Sequence, residues 1–161
     1  MKLICRVLAA GAAAIWLSGA PGALADDRHA GYYYPEPATS ETYKARARTL
    51  VGADRGQRIA FVTGVTLKQG ERPHPAMLAM FAKGDEAEKL IIVGLQDGRL
   101  NTIYRARAVL AMLTATARAT PIFQEYQVEE IFTFLDLCKM LGFEQVTISD
   151  GKDFAHQILI E

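Results

Sequence analysis

The sequence has little cysteine, no excess of charge of either sign, and none of the short motifs that hold metals or phosphates. Only two cysteines, Cys5 and Cys138, occur in 161 residues, so a disulfide-built scaffold is excluded as the source of stability. Lys+Arg and Asp+Glu stand at 18 each, which excludes binding to nucleic acid by bulk positive charge. Half of the residues are hydrophobic, more than a disordered chain carries. The three histidines, His29, His74 and His156, share no short spacing with one another or with a thiol, so no metal site is expected. No Gly-x-Ser-x-Gly or Ser-x-x-Lys nucleophile motif occurs. No Gly-x-x-x-x-Gly-Lys or Gly-x-Gly-x-x-Gly phosphate loop occurs either. The acids Asp85, Glu86 and Glu88, and Glu129 with Glu130, cluster as solvated turns rather than as a facing pair. No catalytic residue and no cofactor are expected.

What is present begins with an address. Lys2 and Arg6 precede a short apolar stretch at residues 7–18, Ala23-Leu24-Ala25 supplies the small residues a signal peptidase reads, and Asp26-Asp27 follows. The stretch is shorter than the roughly 20 residues that cross a bilayer. Residues 1–25 therefore read as a cleaved signal peptide, with a mature start at Asp26 and a periplasmic destination. Removing 25 of 161 residues leaves 136, and takes Lys2, Arg6 and no acid, so 16 cations then face 18 acids for a net charge of −2. No transmembrane segment is expected after that removal. The mature chain keeps one thiol, Cys138, and about 136 residues can build a core without staples.

Residues 26–40 carry Gly, two prolines and the run Tyr32-Tyr33-Tyr34, and read as a flexible arm ahead of a single domain over 41–161. Ser40 as cap, with Tyr43, Ala47 and Leu50 on one face, predicts a short helix ending at Gly52. Alternation of Ile59, Phe61, Val65 and Leu67 predicts a strand over 58–68. Strands are also expected over 76–82 and, apolar on both faces, over 89–95. Ile103, Ala106, Leu110, Leu113 and Ala117 give a core-facing helical stripe behind Asn101 or Thr102, closed by Pro121. Thr133 with Asp136 resembles a capping box, and the helix behind it lines up Phe134, Leu137, Cys138 and Leu141 before Gly142. Strands over 144–149 and 154–160 flank Asp150-Gly151, a hairpin signal. The fold class expected is α+β: an antiparallel sheet of about five strands, built from a three-strand meander, two helices and a C-terminal hairpin, with the helices packed on one face.

Two surface features stand out. Lys44, Arg46, Arg48, Arg55 and Arg58 lie within fifteen residues with one acid, Asp54, a basic patch able to steer acidic partners or anionic headgroups. Gly98 and Arg99 sit where a strand runs into a helix, and a helix N-terminus attracts anions.

The runs FAKGDEAEKLIIVGLQDGRL and LGFEQVTISDGKDFAHQI resemble a family of small, exported, functionally uncharacterised proteobacterial proteins, over most of residues 43–161. Some members carry a label linking them to molybdopterin-guanine dinucleotide biosynthesis. The Gly-rich, Arg- and Lys-containing loop of that pathway's nucleotidyltransferase has no counterpart here, and the resemblance implies no catalytic residues. The leading expectation is an exported, non-catalytic binding or interaction module for a protein or anionic ligand. The alternative is an accessory factor or small enzyme acting on a nucleotide or other anion.

Overall fold

A computed structural model describes residues 35–96, 98 and 100–161. The signal-peptide reading, the arm up to Tyr34 with its three tyrosines, and Arg99 fall outside the described residues. The elements run β1 (Thr39–Tyr43), α1 (Arg55–Gly70), β2 (Leu78–Lys83), β3 (Lys89–Gly94), α2 (Ile103–Arg118), α3 (Pro121–Glu125), α4 (Phe134–Met140), β4 (Gln145–Ser149) and β5 (Ala155–Ile160).

The class is α+β, and the sheet has five strands in the order β1-β5-β4-β3-β2. It is mixed rather than antiparallel: β1 runs parallel to β5 and β3 parallel to β4, while β2–β3 and β4–β5 are antiparallel. A parallel neighbour needs a long crossover. The segment carrying α2, α3 and α4 supplies it between β3 and β4.

Two sequence expectations fail here. The helix expected over 40–51 is instead strand β1 followed by a strap that bends at Arg46 and Ala47. Backbone N–H groups there find partners elsewhere in the fold: Ala45 donates to the Glu161 carbonyl at 2.8 Å and Leu50 to that of Met140 at 2.9 Å. The strand expected over 58–68 lies within helix α1, so the three-strand meander does not form. Asp54 caps that helix, accepting from the Gln57 N–H. Phe61, Val62 and Val65 pack into the core at helical spacing, with Arg58 buried one turn earlier. Ile59 and Leu67, two of the residues that made the strand alternation, are 38% and 64% exposed. Tertiary packing has overridden a local pattern weakened further by Gly56, Gly64 and Gly70.

One hydrophobic cluster joins alternate strand residues to the helices: Leu78 and Met80, Leu90 and Ile92, Val146 and Ile148, Ile158 and Ile160 meet Phe134, Leu137 and Cys138 of α4, Ala106 and Ala117 of α2, and Phe123 of α3. Phe123 and Phe143 are fully buried, each contributing about 1.5–3 kcal/mol by leaving water. Helix α4 is fixed at both ends. Thr133 and Asp136 form the reciprocal capping box. At the other end Phe143 N–H reaches the Cys138 carbonyl and Gly142 N–H that of Lys139, both at 2.9 Å, a Schellman closure around Gly142 at φ +80°. The strap of residues 44–50 runs along this helix, with Arg46 N–H on Asp136 and Leu50 N–H on Met140.

Candidate functional site

The strap sorts the basic residues. Buried and exposed side chains alternate along it: Ala47 is buried and Ala45 half-buried, while Lys44, Arg46 and Arg48 are exposed. Arg46 also anchors the strap, its guanidinium donating to the Ile131 carbonyl at 3.1 Å. Arg55 is exposed at the first position of α1.

Arg58 leaves the patch. It is 6% exposed, and its guanidinium is spent on backbone carbonyls: Nε on Glu86 at 2.9 Å, Nη1 on Leu141, Gly142 and Ala53 at 3.3–3.4 Å. Two of those carbonyls close α4, where the helix dipole presents partial negative charge. Arg58 therefore ties α1, the end of α4 and the β2–β3 turn together. A cleft of about 470 Å³ beside it is lined by Asp85, Glu86, Glu88, Glu144 and Lys139 as well, so acids rather than further cations gather there. The exposed basic surface is the strap with Arg55.

At the second candidate, Gly98 adopts φ +71° in the turn before α2. The helix is capped by Thr102, which accepts from Arg105 N–H at 3.3 Å, and the Arg105 guanidinium folds back onto the Gly98 carbonyl and onto Asn101 Oδ1 at 2.8 Å. The donors and acceptors described at this turn serve one another.

A third constellation was not visible in the sequence. His156 on β5 is 1% exposed, and its two ring nitrogens have different partners: Nδ1 lies 2.8 Å from Thr39 Oγ1, and Nε2 lies 3.2 Å from Glu41 Oε1. Glu41 Oε2 accepts from Arg107 Nη2 of α2 at 2.9 Å. Burial alone would raise the Glu41 pKa, but the hydrogen bonds from Arg107 and His156 outweigh it and hold the carboxyl below the usual range. Thr39 stands opposite His156 in the parallel register, and Glu41, two residues on, shares its side of β1. More than a hundred residues separate β1 from His156, so no spacing announces the group. The available signal was weaker: a histidine alternating with core residues on a strand must find hydrogen-bond partners inside.

Asp136 is a second buried polar centre. It accepts from Tyr43 Oη at 2.9 Å, Arg46 N at 2.7 Å, Thr133 N at 2.8 Å and Thr133 Oγ1 at 2.9 Å. Its burial opposes ionisation, yet these bonds lower its pKa. Cys138, two residues along α4, is fully buried, and burial with the Asp136 charge pushes its thiol pKa far up. A thiolate nucleophile is thereby disfavoured, and Cys138 packs as a small apolar group. Among the described residues no three His, Cys, Asp or Glu side chains converge as a metal site, and no helix is long and apolar enough to cross a membrane.

Comparison with known proteins gives no match to a family model, to a curated protein or to a solved structure.

Proposed function

We propose that the chain is an exported binding or interaction module, of the small exported family its sequence resembles, and that its contact surface is the basic strap with Arg55. The observation that carries this reading is the strap itself: a segment whose inward alanines and backbone bonds fix it to α4 while Lys44, Arg46 and Arg48 face solvent. Cations on fixed backbone steer an acidic partner at little entropic cost, because the segment is already ordered. The partner class is an acidic protein surface or another anionic ligand. Export is supported by the basic start, short apolar stretch and Ala23-Leu24-Ala25.

The test uses the double variant Lys44→Glu/Arg48→Glu, which leaves the Arg46 bonds intact. On immobilised polyglutamate the native protein should elute at higher salt than the variant, while thermal stability changes by no more than about 0.5 kcal/mol. Equal elution would remove the strap from the functional account. N-terminal sequencing of the exported protein checks the address, with Asp26 expected as the first residue.

A further inference from the structure

We propose that Thr39, His156 and Glu41 form a hydroxyl–imidazole–carboxylate relay in which Thr39 is an acyl-accepting nucleophile, giving the chain an esterase-type activity on small acyl esters that goes beyond the interaction proposed above. The argument rests on direction as well as distance. An ionised carboxylate only accepts hydrogen bonds, so the ring nitrogen facing Glu41 at 3.2 Å carries the proton. In the neutral imidazole the other nitrogen is then an acceptor, and it faces the Thr39 hydroxyl at 2.8 Å. The Thr39 proton therefore points at a base, and the base is oriented by a carboxylate. That is the arrangement by which weak hydroxyl nucleophiles are activated. Turning the ring over exchanges the two nitrogens and leaves the logic unchanged.

The surroundings favour the same assignment. His156, at 1% exposure, is held in the dry interior, whereas Thr39 is exposed at the sheet edge, where an ester can reach it. Both lie on paired strands, which position side chains more tightly than loops do. Arg107 occupies the second oxygen of Glu41 and keeps that carboxylate charged and fixed. Glu41 acts through His156 and is a positioning residue.

The chemistry balances without a co-reactant other than water. Thr39 Oγ attacks the ester carbonyl carbon, and its proton passes to the imidazole. The carbon–oxygen bond to the alcohol breaks, and the alcohol leaves with that proton. Water then attacks the acyl-threonine by the same route, releasing the acid and restoring the Thr39 hydroxyl.

The probe is p-nitrophenyl acetate with the full chain. The expected result is release of p-nitrophenol together with the mass of one acetyl group on the peptide holding Thr39. Thr39→Val, with its fold checked by circular dichroism, should lower the rate at least about 100-fold, the scale of losing an activated nucleophile with its base. Thr39→Ser should restore it, with the acetyl group on the new serine. Glu41→Gln should lower the maximal rate while the ester concentration for half-maximal rate stays unchanged, a split that mere loosening of the strand would not give. Ester turnover and elution from polyglutamate are separate readouts, so failure of the interaction reading and failure of this one are distinguishable. Acetylation elsewhere, or equal rates for the native protein and Thr39→Val, would overturn the proposal.

Discussion

Replacing Asp136 with alanine should be among the most damaging single changes in the domain. Its side chain is fully buried and accepts four hydrogen bonds, two from the backbone N–H groups of Arg46 and Thr133 and two from the hydroxyls of Tyr43 and Thr133. The hydroxyls can turn to other acceptors, but the two N–H groups cannot, and each buried donor left unpaired costs about 1–3 kcal/mol. Loss of the capping box weakens α4 by about 1 kcal/mol more. Because these effects share one site they do not simply add, and about 4 kcal/mol is expected for Asp136→Ala, toward the upper end for a point mutation. With a urea slope of about 2 kcal/mol/M for a domain of this size, the unfolding midpoint should fall by about 2 M. Asp136→Asn keeps the shape and one acceptor and should cost about half as much; Tyr43→Phe, which removes one donor, should cost about 1 kcal/mol. The difference between the native protein and Asp136→Asn should also depend on pH. Folding lowers the Asp136 pKa, so its stabilisation is complete above the ordinary aspartate value of about 3.9 and disappears as pH falls through the lower folded value. Urea titrations followed by circular dichroism at neutral and acid pH measure both effects. A loss below about 1 kcal/mol for Asp136→Ala, the ordinary size for any substitution, would refute the reasoning, as would an Asn difference that persists unchanged into acid.

Cys138→Ala should cost about 1 kcal/mol and leave any partner binding intact, and iodoacetamide should label the native thiol only as fast as the protein opens, since Cys138 has no solvent access. Gly142→Ala should cost about 2 kcal/mol in a thermal or urea melt, because the residue holds φ +80° and an added Cβ would sit 2.5 Å from Arg58 Nη1. Arg58→Met should be destabilising through the α4 carbonyls it leaves bare, and in a double-mutant cycle the Gly142→Ala cost should shrink in its presence, since the clashing guanidinium is gone.

The elements that could be read from sequence are those whose reasons are local. The α2 stripe repeats at three and four residues, Thr133 and Asp136 stand at capping-box spacing, and residues 90–95 are an unbroken apolar run: each declares its structure within a few residues. Ile59, Phe61, Val65 and Leu67 satisfy a strand template, while the residues that decide for helix α1, Phe61, Val62 and Val65, do so only by packing against the shared core. Strand β1 was missed because its partner is β5, paired in parallel across the whole domain, and no turn signal marks such a pairing. The basic residues were legible as a set, but the fate of Arg58 depended on where the end of α4 falls in space. The His156 group shows locally only as a histidine among core residues on a strand, since its two partners lie on β1, more than a hundred residues away.

Strand β1 also explains why the two proposed activities sit side by side. Of its five residues, Thr-Ser-Glu-Thr-Tyr, only Tyr43 packs against the core, so burial does little to hold the strand to the sheet edge. Polar side chains do so: Thr39 on His156, Glu41 on His156 and Arg107, Tyr43 on Asp136 and Thr133, each at alternate positions on the strand. A polar edge resists pairing with other chains, and the anchors that count most are those on the buried His156 imidazole and the buried Asp136 carboxylate. The chain leaving Tyr43 becomes the basic strap, so the orientation of Lys44, Arg46 and Arg48 is inherited from the same anchors. Changes that free β1 should therefore disturb strap and relay together. Lys44→Glu/Arg48→Glu touches only the strap, whereas Thr39→Val removes both the relay's nucleophile and one anchor of β1, so Thr39→Ser, which keeps the hydroxyl on His156, is the control that separates loss of the nucleophile from loosening of the strand.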